Sequence, residues 1–123
     1  MEKKHLLLAE DDELLASLLE YRLKLAGFEV VLAQDGKEVK EYLSRETPDI
    51  IVSDIMMPYF SGIELVDYLR NTLHSKIPVI VISSAGNEEN VLSAFELGAN
   101  DFIAKPVNPS ELLVRVNREL NKA

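Results

Sequence analysis

The chain contains no cysteine, which excludes disulfide bonds, thiolate metal ligands and a cysteine nucleophile. Basic residues are few, since 13 Lys and Arg stand against 21 Asp and Glu, and the net charge is −8. Because contacts to nucleic-acid phosphates need clustered Lys and Arg, we expect no nucleic-acid binding by this domain. The chain also lacks any apolar run that approaches the ~18 residues of a membrane span, so we expect no membrane partner.

Further absences bound the organisation of the chain. The segment Met1-Glu2-Lys3-Lys4 is charged like the start of a signal peptide, but the apolar run behind it is too short and acidic residues follow at once. We therefore do not interpret it as a signal peptide. No low-complexity segment, internal repeat or Pro/Gly/Ser-rich linker is present. The 123 residues suit a single domain over 1–123 with its own core. We expect this domain to be cytoplasmic, which the lack of cysteine fits.

Short apolar segments alternate along the chain with longer segments of helical period. Strands are predicted over His5–Ala9, Phe28–Leu32, Asp49–Ser53, the residues after Pro78, and Asp101–Ala104. Helices are predicted over Asp12–Ala26, from Asp35, from Ser61, up to Gly98, and from Pro109 onward. Five βα units with apolar strands predict an α/β fold, in which a doubly wound parallel sheet is covered on both faces by five helices.

Two helix starts have the spacing of a capping box, in which a short polar side chain and a glutamate three residues later cap each other's backbone N–H groups. Asp35 with Glu38 has this spacing before the second helix, and Ser61 with Glu64 has it before the third. Both patterns predict reciprocal caps.

Polar residues follow the carboxyl ends of the predicted strands. Glu10 and Asp11 come after the first strand and Asp54 after the third, while Ser83 ends the fourth and Lys105 follows the fifth. Ligands of such sheets bind beyond the carboxyl ends of the strands, so we expect these side chains to share one crevice. Two unit charges about 4 Å apart repel by roughly 4 kcal/mol at an effective dielectric near 20. The carboxylates therefore favour a divalent cation, and the ammonium and hydroxyl groups suit a phosphoryl group.

Each of these residues also has an ordinary structural interpretation. Asp11 or Asp12 suits the N-cap of the first helix, and Lys105 could equally be a surface lysine. Ser83 would satisfy a strand end, and the neighbouring Ser84 stays an alternative hydroxyl that spacing alone does not exclude. The shared position at strand ends favours the functional interpretation of the group.

Several motifs occur in a fixed order along essentially the whole chain. They are Leu6–Asp12, Pro48–Pro58, Ser61-Gly62, Pro78–Ser83, Gly98–Phe102 and Lys105-Pro106. With these motifs the chain resembles the receiver domain of bacterial two-component response regulators. The resemblance implies a flavodoxin-like sheet of order 2-1-3-4-5. It also implies a signalling switch that accepts a phosphoryl group from a sensor histidine kinase or a phosphotransfer protein.

The resemblance assigns roles to the acidic residues. Asp54 matches the aspartate that is phosphorylated. Glu10 and Asp11 match the pair that holds Mg²⁺ together with Asp54, and Met56 would add its backbone carbonyl. Mg²⁺ is thus the implied cofactor, with Mn²⁺ as a substitute.

The resemblance also assigns the catalytic and switch residues beside Asp54. Lys105 matches the family's lysine, and the Lys105–Pro106 peptide bond is expected to be cis. Ser83 matches the switch hydroxyl, because the family spacing back from Lys105 selects it over Ser84. Phe102 matches the aromatic switch position, which we expect to be partly buried.

Two surfaces are candidates for partner binding. Leu14 and Leu18 lie off the core stripe of Leu15, Leu19 and Leu23 on the first helix, so we expect them to be exposed and to bind the kinase.

Asp101 and Arg115 match positions that pair between protomers in one transcription-factor subgroup of the family, which predicts a phosphorylation-dependent homodimer. Arg118 is retained from that network, whereas Val91 and Asn100 replace charged members of it.

Two alternative functions use the same residues. One is a Mg²⁺-dependent phosphohydrolase that works through an aspartyl phosphate, and the other is a receiver-like binding module that is never phosphorylated. We favour the switch, which catalyses only its own phosphorylation and dephosphorylation. Two organisations stay open, a single-domain regulator and the amino-terminal part of a longer one.

Overall fold

The computed structural model of the chain describes residues 2–122. Its strands are β1 (His5–Ala9), β2 (Glu29–Ala33), β3 (Ile50–Asp54), β4 (Val79–Ser83) and β5 (Asp101–Ala104). Its α-helices are α1 (Glu13–Leu25), α2 (Gly36–Leu43), α3 (Gly62–Asp67), α4 (Glu88–Leu97) and α5 (Pro109–Leu120). The predicted alternation of strands and helices is confirmed.

All five strands are parallel, in the order β2-β1-β3-β4-β5, which confirms the predicted doubly wound topology. Strands β3 and β4 are buried along their whole length, and β1 is buried after His5. The edge strands differ, because β2 exposes Glu29 and Val31 while β5 exposes Phe102 and Ala104. The prediction that both faces are covered therefore holds for the inner strands only.

The two faces of the sheet carry separate hydrophobic clusters. Leu6 and Leu8 of β1 pack on one side with Leu19 of α1 and Val116 of α5. Leu7 packs on the other side, in the cluster that contains side chains of α2, α3 and α4. Because successive strand residues point to opposite faces, one apolar strand contributes to both clusters. Each fully buried aliphatic side chain contributes roughly 1.5–3 kcal/mol to stability.

Two strands, β2 and β3, each begin and end one residue later than predicted. Phe28 precedes β2, because its N–H bonds to the Leu23 carbonyl and so belongs to the end of α1. Asp49 precedes β3, and its carboxylate accepts the His5 N–H at 2.7 Å. Consequently Asp54 is the last residue of β3 itself.

The helix starts confirm one capping box and correct the other. Ser61 and Glu64 cap each other reciprocally at α3. Asp35 accepts the Glu38 N–H at 3.0 Å, but the Glu38 carboxylate accepts the N–H of Gln34 instead of that of Asp35. The side chain of Glu38 thus bonds one residue earlier than the motif predicts.

The sequence does not predict the end of α3, where the helix continues as a π-helical turn over Tyr68–Thr72. Arg70 in this turn donates to the carbonyls of Ser75 and Gly98 and to Oδ1 of Asn100. Asn100 Oδ1 also accepts the Val79 N–H at 2.8 Å. Arg70 therefore ties the end of α3 to the start of β4 and the end of α4, and burial lowers its pKa.

Within residues 2–122, no helix combines the length and the apolar character needed to cross a bilayer.

Candidate functional site

The predicted site residues meet at the carboxyl edge of the sheet. Asp54 is the last residue of β3, Glu10 directly follows β1, and Lys105 directly follows β5. The register pairs Ala9 with Ser53 and Ser83 with Ala104, so neighbouring strands end at nearly the same level. Strand pairing thus brings residues that are far apart in sequence into one crevice.

Asp54 is held by a donor at each carboxylate oxygen. Lys105 Nζ lies 2.8 Å from Oδ2, and the Met56 N–H donates to Oδ1 at 3.0 Å. Asp54 is only 4% exposed. Burial opposes the charge of Lys105, but its hydrogen bond and attraction to Asp54 prevail and raise the Lys105 pKa above its ordinary value. Lys105 therefore stays a cation beside the carboxylate.

Glu10 is fully buried, which sequence reasoning did not predict. Its Oε2 accepts the Asp12 N–H at 3.1 Å, whereas Oε1 has no hydrogen-bond partner among residues 2–122 and makes only a charge contact with Lys105 Nζ at 3.4 Å. Burial raises the pKa of Glu10 to about 7; the Asp12 N–H lowers it and the charge of Asp54 raises it further. The site therefore contains a buried carboxylate oxygen without a hydrogen-bond partner.

The acidic group fits a divalent cation. One carboxylate oxygen each from Glu10, Asp11 and Asp54 lies within 4.8 Å of the others. Hard cations such as Mg²⁺ prefer oxygen ligands of this kind, and the Glu10 Oε1 lacks a partner that a cation would supply. Asp12 is the N-cap of α1, accepting the Leu15 N–H at 3.1 Å. The capping alternative therefore applies to Asp12, while Asp11 joins the cluster.

The predicted switch residues Ser83 and Phe102 line one cavity together with Lys105, the lysine that contacts Asp54. Ser83 is buried and its Oγ donates to the Ser84 carbonyl at 3.1 Å, whereas Ser84 is exposed. Phe102 is 38% exposed and packs edge to face against Phe95 of α4, with ring centroids 6.1 Å apart. A cavity of about 550 Å³ between α4 and β5 is lined by both Ser83 and Phe102. The Lys105–Pro106 bond is cis, as expected.

The exposed face of α1 is more apolar than the two predicted residues suggest. Leu14 is 86% exposed and Leu18 46%, and the strip continues through Tyr21 and Leu25, at 62% and 67%. Sequence reasoning missed the last two, although the spacing i, i+4, i+7 and i+11 places all four on one helix face. Together we call these residues the α1 strip.

The residues that predicted a homodimer are paired within the chain. Arg115 Nη1 contacts both carboxylate oxygens of Asp101 at 2.8 and 2.9 Å, and Arg118 Nη2 contacts Oδ2 at 2.9 Å. Asp101 is 7% exposed, so these contacts compensate a buried charge. The Asn100 side chain accepts hydrogen bonds from Arg70 and from the Val79 N–H within the same chain.

Removing Asp11 should raise the stability of the metal-free protein, because the cluster stores repulsion between like charges. For Asp11→Ala we expect thermal melts in EDTA at pH 8 to rise by about 2–5 °C. The melting temperature of Asp54→Ala should rise less, because this substitution also breaks the ion pair with Lys105. Clear destabilisation by both changes would contradict this prediction.

The pH dependence provides a control for this measurement. The pKa of Glu10 is raised from 4.5 to about 7 in the fold, so its contribution favours the fold below pH 4.5 and is lost as the pH rises through 7. At pH 5 Glu10 is largely protonated, and the gain from Asp11→Ala should be smaller than at pH 8. Equal gains at both pH values would mean that Glu10 does not take part in the repulsion.

Comparison with known proteins identifies what the chain resembles. Residues 6–117 match the family model described as "Response regulator receiver domain". The chain is 34% identical over 120 residues to the alkaline phosphatase synthesis transcriptional regulatory protein PhoP of Bacillus subtilis (strain 168), covering 98% of this chain and 50% of that protein. The chain thus spans about half the length of the curated relatives it matches.

Solved structures show the same fold. The Francisella response regulator 1452 receiver domain has a TM-score of 0.88 at 33% identity, covering 96% of this chain and 97% of that one. A CheY-like response regulator receiver domain protein from Methanospirillum hungatei JF-1 has a TM-score of 0.91 at 27% identity, covering 98% and 95%. Both similarities extend over nearly the whole chain.

Proposed function

The chain belongs to the response regulator receiver domain family and is a phosphoacceptor switch of two-component signalling, and from this premise we propose how its residues work. Asp54 accepts the phosphoryl group from the phosphohistidine of a sensor histidine kinase or a phosphotransfer protein. The observation that carries this assignment is the buried Asp54 carboxylate, with Lys105 Nζ 2.8 Å from one oxygen and Glu10 and Asp11 beside it.

The transfer is a displacement at phosphorus. An oxygen of the Asp54 carboxylate forms the new bond to phosphorus as the bond to the donor imidazole nitrogen breaks, and the imidazole leaves with the electron pair. Lys105 and the Met56 N–H orient the carboxylate before the reaction. Lys105 also neutralises part of the charge on the transferring group.

Glu10, Asp11 and Asp54 would hold Mg²⁺ through their side chains, and the Met56 carbonyl is proposed as a further ligand. When bound, Mg²⁺ supplies positive charge that offsets the phosphoryl oxygens and the carboxylate cluster. The partnerless Oε1 of Glu10 supports this role, because a buried acceptor without a donor is otherwise costly.

Labelling by a small phosphodonor tests the proposal. With acetyl phosphate and Mg²⁺ the intact protein should gain the mass of one phosphoryl group, and an excess of EDTA should prevent it. Failure to form an adduct in the presence of Mg²⁺ would reject the phosphoacceptor assignment. A parallel incubation with a small phosphoester and Mg²⁺ tests for phosphohydrolase activity, since steady turnover of the phosphoester would favour an enzyme. We propose that the chain catalyses only its own phosphorylation and dephosphorylation.

The conformational response is proposed to pass through Ser83 and Phe102. The Ser83 hydroxyl now donates to the Ser84 carbonyl, so it is free to exchange that bond for one to a phosphoryl oxygen. The cavity that both side chains line gives Phe102 room to move inward from its contact with Phe95. Such a change would alter the surface formed by α4, β5 and α5, which a partner would recognise.

We propose that the kinase docks on the α1 strip, since contiguous exposed apolar residues on one helix face suit a protein partner. Leu14→Asp and Leu18→Asp should each slow transfer from the cognate kinase by roughly tenfold or more, while labelling by acetyl phosphate stays normal. The control is Leu73→Asp, which changes a leucine that is 40% exposed beyond the π-helical turn. Equal loss of both reactions would indicate misfolding.

Homodimerisation through Asp101 and Arg115 stays a prediction. A dimer that used this pair would exchange contacts within one chain for equivalent contacts between two copies, which yields little net energy. Sedimentation with and without beryllofluoride measures the outcome. A monomer in both states at high micromolar concentration would reject the dimer.

Location in the cytoplasm also stays a prediction.

A further inference from the structure

The exposed side chain of Met56 contacts a polar side chain of α4, which is unusual for a methionine at the surface. Its backbone N–H is bonded to the Asp54 carboxylate, so the residue adjoins the phosphoacceptor. The side chain is 53% exposed, so core packing does not hold it. Instead, Asn90 Nδ2 lies 3.8 Å from Met56 Sδ and donates toward it.

Asn90 is itself held in place. Its Nδ2 also lies 3.3 Å from Oδ1 of Asn87, the residue that precedes α4. An amide NH₂ carries two hydrogens, so one can point to the sulfur and the other to the Asn87 oxygen. The thioether is therefore linked to the first turn of α4 through an amide whose orientation is set by a second contact.

This link spans two elements on either side of the site. Met56 belongs to the loop after β3, and Asn90 belongs to α4, which follows β4. Strands β3 and β4 are hydrogen-bonded neighbours, so the link crosses the carboxyl edge of the sheet beside Asp54. The contact holds the exposed Met56 side chain between the end of β3 and the first turn of α4, whereas without it the side chain would be free to turn into solvent.

We propose that Asn90 is a positioning residue that holds the Met56 side chain beside Asp54 and so limits the access of water to the aspartyl phosphate. The inference rests on the proposed function. In the hydrolysis that is slowed, a water oxygen attacks phosphorus and the bond to the Asp54 oxygen breaks. The carboxylate leaves with the electron pair, and the proton of the attacking water is released into solution or taken up by the phosphate product.

The test is a double-mutant cycle on the decay of the phosphorylated mass after the donor is removed. Asn90→Ala should speed decay by roughly twofold to fivefold, in keeping with one weak bond to sulfur. Met56→Ala should speed it at least as much, and the double variant should decay like Met56→Ala alone. Glu89→Ala, which changes an exposed neighbour in the same helical turn, should decay like the parent protein. Unchanged decay in Asn90→Ala, or effects that multiply in the double variant, would overturn the inference.

A second measurement does not depend on phosphorylation. The chain has 3 methionines, so methyl-labelled methionine gives a simple NMR spectrum in which Met56→Leu identifies the Met56 signal. In Asn90→Ala the chemical shift of the Met56 methyl signal should move toward that of a free methionine, and the signal should become narrower. If it does not change, Asn90 does not hold the side chain. A parent protein that forms no adduct would instead reject the proposed function, so the two failures are distinguishable.

Discussion

Replacing Asp54 by asparagine should abolish labelling by acetyl phosphate, reducing the phosphorylated mass to background. The amide of asparagine is a poor nucleophile toward phosphorus, and it removes one of the three carboxylates proposed to hold Mg²⁺. No other aspartate in the described chain combines burial, the Lys105 contact and membership of the carboxylate cluster. A phosphate adduct at parental yield in Asp54→Asn would contradict the assignment.

A control must separate loss of the acceptor from loss of the fold. The Asp54 carboxylate accepts from both Lys105 and the Met56 N–H, and an amide offers only one oxygen to these two donors. Some local adjustment is therefore expected, and thermal melts in EDTA should show that the variant is folded. Asp67→Asn, which changes an exposed aspartate on α3, should be labelled like the parent.

The phosphorylated state should be long-lived, and polar side chains at positions 56 and 85 should shorten its lifetime. The resemblance to receiver domains implies that the residues two positions after Asp54 and two positions after Ser83 flank the path of the attacking water, where polar or acidic side chains would help to orient it. Here these positions are Met56 and Ala85, both apolar and both exposed. Because positioning of the nucleophile is a large part of phosphoryl-transfer catalysis, Met56→Asn with Ala85→Glu should speed decay by about tenfold or more.

Decay of the phosphorylated mass measures this effect directly. Each single variant should lie between the parent and the double variant, and the yield of initial labelling should stay normal. An unchanged or slower decay in the double variant would show that water access is controlled elsewhere. The nearby amide of Asn90 does not supply the missing polar group in the parent, because its donors point to Met56 and Asn87.

Much of the fold and of the candidate site could be predicted from the sequence. The apolar strands, their alternation with helices and the positions of Glu10, Asp54, Ser83 and Lys105 at strand ends sufficed for the fold class and for one shared crevice. This works because parallel strands align their carboxyl ends, so a residue at the end of an apolar run is placed by the backbone alone. The family resemblance added the sheet order and the cis bond before Pro106, both of which are confirmed.

The sequence could not decide between neighbouring residues of the same type. Asp11 and Asp12 both suited the N-cap of the first helix, and only the geometry at the start of α1 made Asp12 the cap. Glu38 has the spacing of a capping box, yet its carboxylate accepts from Gln34. Such choices depend on the local backbone and side-chain geometry, which sequence patterns do not contain.

The sequence by itself determined the strands, the helices and the edge of the sheet where the chemistry lies, because these follow from the period of apolar residues and from local backbone preferences. Tertiary structure alone decided the burial of Glu10, the intrachain pairing of Asp101 and the contact between Asn90 and Met56. Each of these depends on side chains from separate elements meeting in space. The free energy of such contacts comes from desolvation and geometry, which exist only once the chain has folded.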